Sequence, residues 1–149
     1  MEIIKIEDFD DKKEYMDLLL IADEQENMIY KYLERGEMYA IYDNGVKCVC
    51  VVTFEGDGVL EIQNIATNPI YQHKGYGKKM MNFIFETYKE EVSEIIVGTG
   101  ESPANLLFYE CFGFEKYMTL KNFFAKNYDL PIYEGGMLLK DKIYLKKYF

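Results

Sequence analysis

The chain of 149 residues contains no tryptophan, one histidine and three cysteines, and the scarcity of histidine and cysteine argues against a metal site. His73 and the Cys48-x-Cys50 pair offer too few ligands for a metal site, so we expect none. Cys48 and Cys50 would share one face of a strand, which favours core thiols over a disulfide. No apolar run approaches the roughly 20 residues of a membrane span, and the start of the chain lacks a secretory signal. These absences predict a cytoplasmic protein without membrane segments.

Positive charge is scarce in the first part of the chain. Residues 1–60 contain 15 acidic and 6 basic side chains, whereas residues 61–149 contain 11 of each, so the net charge of −9 lies in the first part. No basic face or recognition motif for nucleic acid is visible, and we expect no nucleic-acid partner. The acidic part either is a solvated surface or attracts a cationic ligand such as a polyamine, an aminoglycoside or a lysine side chain.

The segment Gln72–Gly77, with the sequence QHKGYG, is flanked by two regular patterns. Before it, Val59–Thr67 alternates between apolar and polar residues, which predicts a strand. After it, Lys78–Tyr88 has apolar residues at helical spacing. A turn that leads directly into a helix presents unpaired backbone N–H groups and the positive end of the helix dipole. This arrangement is typical of phosphate binding.

The two glycines of this turn have a physical role. Gly75 and Gly77 lack a Cβ atom, so we expect them to allow positive φ and a close approach of an anion. Lys74 and Lys78 add positive charge on either side. Met80 stands where a dinucleotide-binding fingerprint requires a third glycine, and no Walker A sequence is present. The turn therefore predicts a diphosphate site without the sequence features of NAD or ATP binding.

Two motifs, in order, resemble those of one family. The pattern Gln72-x-x-Gly75-x-Gly77 after an apolar strand resembles the acetyl-CoA pyrophosphate loop of the GNAT superfamily of N-acetyltransferases. A second block, Phe108–Phe114, resembles the Tyr-Glu-x-x-Gly-Phe signature that closes the cofactor site in that family, and Glu94–Gly100 reads as the strand between them. The order and spacing agree over about residues 59–116.

This resemblance implies a fold and an activity. The implied fold is α/β, with a mixed, mostly antiparallel central sheet of six to seven strands flanked by about four helices, in a single domain over residues 1–149. The implied activity is direct transfer of the acetyl group of acetyl-CoA, the co-substrate, to a primary amine, either a small cationic amine or a protein amine. Two alternatives stay open: a non-catalytic sensor or interaction module that binds acyl-CoA, and a transferase for a longer acyl chain.

The resemblance also implies which residues contact the co-substrate. Backbone groups at the end of the strand would pair with the pantetheine arm, the turn would hold the diphosphate, and the second motif would line the thioester. Gln72 stands where the family often has arginine, and Ser102 and Asn105 stand where it often has asparagine and alanine. The implied contact residues are Ile65, Ala66, Thr67, Gln72, His73, Lys74, Gly75, Tyr76, Gly77, Lys78, Ser102, Asn105 and Tyr109.

Acetyl transfer needs a base, because a protonated amine has no lone pair for the attack. Glu61 is our candidate: it lies in the strand before the turn, fourteen residues before Gly75, as the base does in the protein-lysine acetyltransferases of the superfamily. Its apolar neighbours would raise its pKa. The alternative is a glutamate on the polar face of a strand. Gln63 and Asn64 are polar neighbours that either orient a water molecule or face solvent.

The departing thiolate needs a proton, and Tyr109 is the candidate acid because its phenol would reach the sulfur from the second helix. The alternative is a buried structural tyrosine in a chain that contains 14 of them. The resemblance implies that the backbone N–H near Ile65 donates to the developing oxyanion.

The remaining pattern predicts an α/β chain without linkers or repeats. Phe124–Gly136 is too apolar for a solvated loop without contacts, so we expect it to cover the acceptor pocket, to pack on the sheet or to contact a second subunit in a homodimer. The predicted elements are a strand Glu2–Glu7, one helix from a cap at Asp8 or Asp10 to about Ala22, a helix Asp23–Leu33, a strand hairpin with the turn Asp43–Gly45, a helix from Ser102-Pro103 to Gly113, and strands around Phe114–Phe123 and Met137–Leu145.

Overall fold

A computed structural model describes all 149 residues, which form nine β-strands and six α-helices. The chain divides into two compact units, Met1–Ser93 and Glu94–Phe149. No helix is long and apolar enough to cross a membrane.

Four antiparallel strands form the sheet of the first unit in the order of the sequence. The turn between the second and third strands has positive φ at Asn44 (56°) and Gly45 (97°), which is the conformation that a tight hairpin requires. This confirms the predicted hairpin. The strands are β1 (Glu2–Ile6), β2 (Glu37–Tyr42), β3 (Val46–Phe54) and β4 (Val59–Thr67).

The single helix predicted up to Ala22 is wrong, because two short helices occupy this region. Asp8 caps the first helix by accepting a hydrogen bond from the backbone N–H of Asp10 at 2.9 Å, as the sequence indicated. The Nζ of Lys12, near the end of that helix, donates to the carbonyls of Leu33 and Gly36 and so holds it against a later helix. The helices of this unit are α1 (Phe9–Lys13), α2 (Met16–Ala22), α3 (Glu26–Leu33), a 3₁₀ turn (Pro69–Tyr71) and α4 (Tyr76–Tyr88).

The two faces of this sheet carry different helices. On one face, Leu19 of α2 and Leu33 of α3 join Val49 and Val51 of β3 in a fully buried apolar cluster. On the other face, the ring of Tyr39 contacts Phe83 and Tyr88 of α4. Cys48 and Cys50 are fully buried and free, which confirms the predicted core thiols, and burial raises the pKa of Cys48 to about 11.

A β-bulge interrupts the pairing of β3 with β4. Val51 is opposite Asn64, but Val52 is opposite Ile62, so Gln63 is an extra residue on β4. Paired residues share a face, and side chains alternate along the regular strand β3. Asn64, opposite Val51, therefore lies on the α2–α3 face.

The second unit has its last strand in the middle of its sheet. β9 pairs antiparallel with β5 on one side and with β6 on the other, while β7 and β8 form a separate two-stranded hairpin. The predicted strand Met137–Leu145 is therefore wrong in its start, since Met137 belongs to β8. The elements are β5 (Glu94–Gly100), α5 (Pro103–Glu110), β6 (Glu115–Leu120), α6 (Phe123–Asn127), β7 (Tyr133–Glu134), β8 (Met137–Leu138) and β9 (Lys142–Tyr148).

Candidate functional site

The turn between β4 and α4 has an unusual backbone. His73 has φ of 64° and Gly75 has φ of 90°, so two nearby residues are left-handed. Gly75 is the N-cap of α4, and no side chain caps the first N–H groups of this helix. Gly77 lies inside the first turn of α4 without positive φ, so its predicted conformation is wrong. The turn thus ends in backbone donors that a bound anion would satisfy.

Side chains of the β2–β3 turn contact this segment. The Tyr76 hydroxyl donates a hydrogen bond to Asp43 at 2.9 Å. The Nζ of Lys47 lies 3.7 Å from the centroid of the Tyr71 ring and donates to a carbonyl in the same hairpin turn. The predicted contact residues His73, Lys74 and Lys78 are exposed. In this structure the basic side chains therefore face solvent, while Tyr76 anchors the turn.

The side chain of Gln72, where the family often has arginine, points back to the end of β4. Its Nε2 donates to the carbonyl of Thr67 at 3.1 Å, at the end of β4. Ile65, Ala66 and Thr67 pair with β3 opposite residues 50, 49 and 48. The amide of Gln72 in this structure thus supports the end of β4.

Glu61 is 8% exposed and lies opposite Thr53, so it shares the α2–α3 face of the sheet. Its neighbours on that face are polar too. The Nε2 of Gln63 donates to the Thr53 hydroxyl at 3.1 Å, and Thr53 is almost fully buried. Asn64 is also buried there, so the alternative of a solvent-facing Asn64 is wrong. The strand thus carries a carboxylate and two amides on one face.

Asn64 connects β4 to both helices on its face. Its Nδ2 donates to the carbonyl of Leu19 at 3.0 Å and to the hydroxyl of Tyr32 at 3.1 Å. The Tyr32 hydroxyl in turn donates to Asp23 at 2.9 Å. Sequence reasoning did not find Tyr32 or Asp23, although an asparagine within an apolar strand is a signal that a buried polar partner is needed.

The motif residues of the second unit lie along one side of α5. Ser102, Asn105 and Tyr109 follow one another at intervals that place them on the same side of a helix. Ser102 is the N-cap, as predicted, and its hydroxyl accepts from the Asn105 backbone N–H at 3.4 Å. Tyr109 is 9% exposed, and its ring contacts Phe108 and Phe114 edge to face.

Glu134 of β7 contacts two of these residues, which the sequence did not predict. The Ser102 hydroxyl donates to Glu134 Oε2 at 3.2 Å, and the Asn105 side-chain amide donates to the same oxygen. A carboxylate at the start of a helix is stabilised by the helix dipole. Ser102 and Asn105 are therefore hydrogen-bonded to Glu134 in this structure.

Comparison with known families identifies the class of protein. Residues 34–116 match the family model described as "Acetyltransferase (GNAT) domain". A Bacillus subtilis protein named "Uncharacterized N-acetyltransferase YvbK" is 34% identical over 135 residues, which cover 89% of this chain and 87% of that protein. The chain therefore belongs to the GNAT acetyltransferase family.

Solved structures agree over nearly the whole chain. A Bacillus cereus IAA acetyltransferase is 34% identical with a TM-score of 0.91, covering 99% of each chain. A GNAT acetyltransferase from Elizabethkingia anophelis with acetyl-CoA bound is 33% identical with a TM-score of 0.84, covering 90% of each chain. A B. subtilis acetyltransferase in complex with CoA is 32% identical with a TM-score of 0.88, covering 99% of this chain and 98% of that one.

These comparisons confirm several predictions. The mixed α/β, mostly antiparallel GNAT fold is confirmed, with six α-helices, of which α1 and α6 have only five residues each. The protein is an acyl-CoA-dependent acyltransferase that uses acetyl-CoA as its co-substrate. No group of three or more His, Cys, Asp and Glu side chains is placed to hold a metal ion. The cytoplasmic location stays a prediction.

Proposed function

We propose that this protein is an N-acetyltransferase, a single domain over residues 1–149, that transfers the acetyl group of acetyl-CoA directly to a primary amine. One observation carries the proposal: a strand with the buried carboxylate of Glu61 runs into a left-handed turn and a helix whose first N–H groups have no side-chain cap. These features supply a base and a diphosphate site on the same strand–turn–helix unit.

The residues of the turn fit the co-substrate. The uncapped N–H groups at the start of α4 are donors for the diphosphate. Gly77 in the first turn of α4 presents no side chain, so phosphate oxygens can approach the backbone closely. Lys74 and Lys78 are exposed and can neutralise the phosphate charge. The strand residues Ile65–Thr67 would hold the pantetheine arm through backbone hydrogen bonds.

Glu61 would remove the proton from the acceptor amine. Only the neutral amine has the lone pair that attacks the thioester carbonyl, so a carboxylate that takes the ammonium proton enables the reaction. The side chain is almost fully buried next to Thr53, Gln63 and Asn64, which limits its exposure to water. This setting favours proton transfer from a bound amine over proton exchange with solvent.

Tyr109 would protonate the leaving thiolate. Its phenol has a proton to donate and is held in place by edge-to-face contacts with Phe108 and Phe114. The backbone N–H of Ile65 would donate to the oxygen of the acetyl carbonyl as negative charge develops there. Ser102 and Asn105 would contact the co-substrate after exchanging their hydrogen bonds to Glu134.

A cationic amine suits the charge of the chain. The net charge of −9 lies within residues 1–60, and acidic surface concentrates cations around it.

A homodimer is a further proposal, supported by exposed apolar side chains on the second unit, such as Leu130 at 77% and Tyr133 at 61% exposed. Light scattering or sedimentation would show directly whether the protein is a dimer.

The first experiment measures thermal unfolding with acetyl-CoA, CoA or NAD, followed by an assay of thiol release with polyamines, aminoglycosides, amino acids and peptides. A rise in Tm with the CoA species only, and thiol release with at least one amine, would support the proposal. Binding without thiol release from any amine would instead support an acyl-CoA sensor. Faster turnover of a longer acyl-CoA would support the alternative of a longer acyl donor.

A further inference from the structure

Asn64 in β4 contains a buried oxygen atom that has no hydrogen-bond partner. The residue is 3% exposed, and its Oδ1 has less than 1 Å² of exposed surface and no hydrogen-bond partner. Buried side-chain amides normally satisfy both their donors and their acceptors, because an unpaired polar atom in the interior is destabilising. This oxygen therefore needs an explanation.

The direction of the Asn64 amide is fixed by its neighbours. Its nitrogen faces the carbonyl of Leu19, which can only accept a hydrogen bond, so exchanging nitrogen and oxygen would bring two acceptors together. The Tyr32 hydroxyl uses its own proton to bond Asp23, so it too accepts from Asn64. The Oδ1 atom therefore points away from the Leu19 carbonyl and the Tyr32 hydroxyl. Only a group that brings an N–H or O–H can satisfy it.

The surroundings of this oxygen select the chemistry of that group. The bulge at Gln63 places Asn64 on the same face of β4 as Glu61, whose carboxylate also accepts hydrogen bonds. A ligand that meets both residues needs positive charge and at least one N–H. A primary ammonium group has both, with three N–H donors on one nitrogen.

We propose that Asn64 Oδ1 accepts an N–H from the acceptor amine and so positions the amine beside Glu61. This inference rests on the proposed function and names a binding residue for the acceptor. The oxygen is covered in this structure, so the amine must displace the side chains that cover it. The new hydrogen bond satisfies the Oδ1 atom and so offsets the cost of moving those side chains.

The test uses the best primary amine among spermidine, kanamycin and Nα-acetyl-lysine amide, together with its N,N-dimethyl and N,N,N-trimethyl forms as inhibitors. Both inhibitors are cations of similar size, but only the dimethyl form retains an N–H. Against the wild-type protein we expect the dimethyl form to inhibit about tenfold more strongly, the usual size of one charge-assisted hydrogen bond. Equal inhibition by the two forms would overturn the inference.

Variants test whether Asn64 causes the preference for the dimethyl inhibitor over the trimethyl one. The preference should fall to about one in Asn64→Ala and persist in Tyr39→Phe, which removes a buried hydrogen bond to Tyr88 on the opposite face of the sheet. A preference that persists in Asn64→Ala would contradict the inference. If Asn64→Ala fails to fold, Glu61→Met decides, because methionine removes both acceptor oxygens at this position. The preference survives there if Asn64 accepts the N–H and vanishes if Glu61 does.

Failure of the proposed function gives a different result. If the wild-type protein releases no thiol from acetyl-CoA with any amine in the panel, the proposed function falls and this inference falls with it. If acetyl transfer occurs and the methylated inhibitors bind equally, only the role of Asn64 is wrong.

Discussion

Glu61 and Asn64 lie on the same face of β4, although residues three positions apart in a regular strand face opposite sides. The extra residue at Gln63 produces this relationship by shifting the pairing with β3 by one position. The result is that a carboxylate and a buried amide oxygen lie on the face of the sheet that α2 and α3 cover. The proposed binding of one amine by Glu61 and Asn64 together depends on this bulge.

Replacing Gly77 by leucine should weaken CoA binding at least tenfold. The side chain would occupy the space in the first turn of α4 through which phosphate approaches the backbone. Leucine has a better helix propensity than glycine by roughly 1 kcal/mol, so the free protein should not lose stability. Calorimetric titration with CoA measures the effect. The control is Thr87→Leu, at an exposed position near the other end of the same helix, and unchanged affinity in Gly77→Leu would remove this residue from the site.

Glu61→Gln should lower kcat for acetyl transfer by about 10²-fold or more, since general base catalysis contributes about 10²–10⁴-fold. The Kd for CoA should stay the same, because the base contacts the amine. Steady-state kinetics measure the fall in kcat, and calorimetry measures whether the Kd for CoA is unchanged. Glu86→Gln, an exposed glutamate on α4, is the control. Equal kcat for Glu61→Gln and wild type would show that another group takes the proton.

Tyr109→Phe should lower kcat by at least tenfold with little change in the KM for acetyl-CoA. The ring keeps its contacts with Phe108 and Phe114, whereas the phenolic proton is lost. Tyr117→Phe, at an exposed position on β6, provides a matched control. Turnover of Tyr109→Phe at the wild-type rate would leave Tyr109 as a structural residue.

Lys12→Met should lower the free energy of unfolding by about 2–4 kcal/mol, because several buried acceptors would lose a charged donor. The Nζ of Lys12 donates to the carbonyls of Leu33, Glu34 and Gly36 at and just after the end of α3, and the residue is 3% exposed. Urea denaturation measures the free energy of unfolding of this variant and of Lys13→Met, which changes a more exposed lysine on the same helix. A difference below about 0.5 kcal/mol between the two variants would mean that the hydrogen bonds add no net stability.

Local patterns account for the parts of the fold that the sequence predicted. Alternation identified β4, the Asp43–Gly45 turn identified the hairpin, and Ser102 before Pro103 identified the start of α5. Each of these signals lies within a few neighbouring residues. The break between α1 and α2, where the backbone N–H of Tyr15 bonds to the carbonyl of Lys12 three residues earlier, was not predicted. The contacts that hold α1 were not predictable from local patterns, because the side chain of Lys12 is bound by carbonyls more than twenty residues away.

The sequence by itself determined the class of the protein and the strand–turn–helix unit that we propose as the diphosphate site, because a strand, two glycines and a helix start are read from residues adjacent in the chain. Only the tertiary structure decided which side chains meet: Asn64 with Leu19 and Tyr32, and Ser102 with Glu134. These partners are separated by 32 to 45 residues. No local pattern specifies such contacts, since they arise when the bulge and the packing of helices on the sheet set the direction of each side chain.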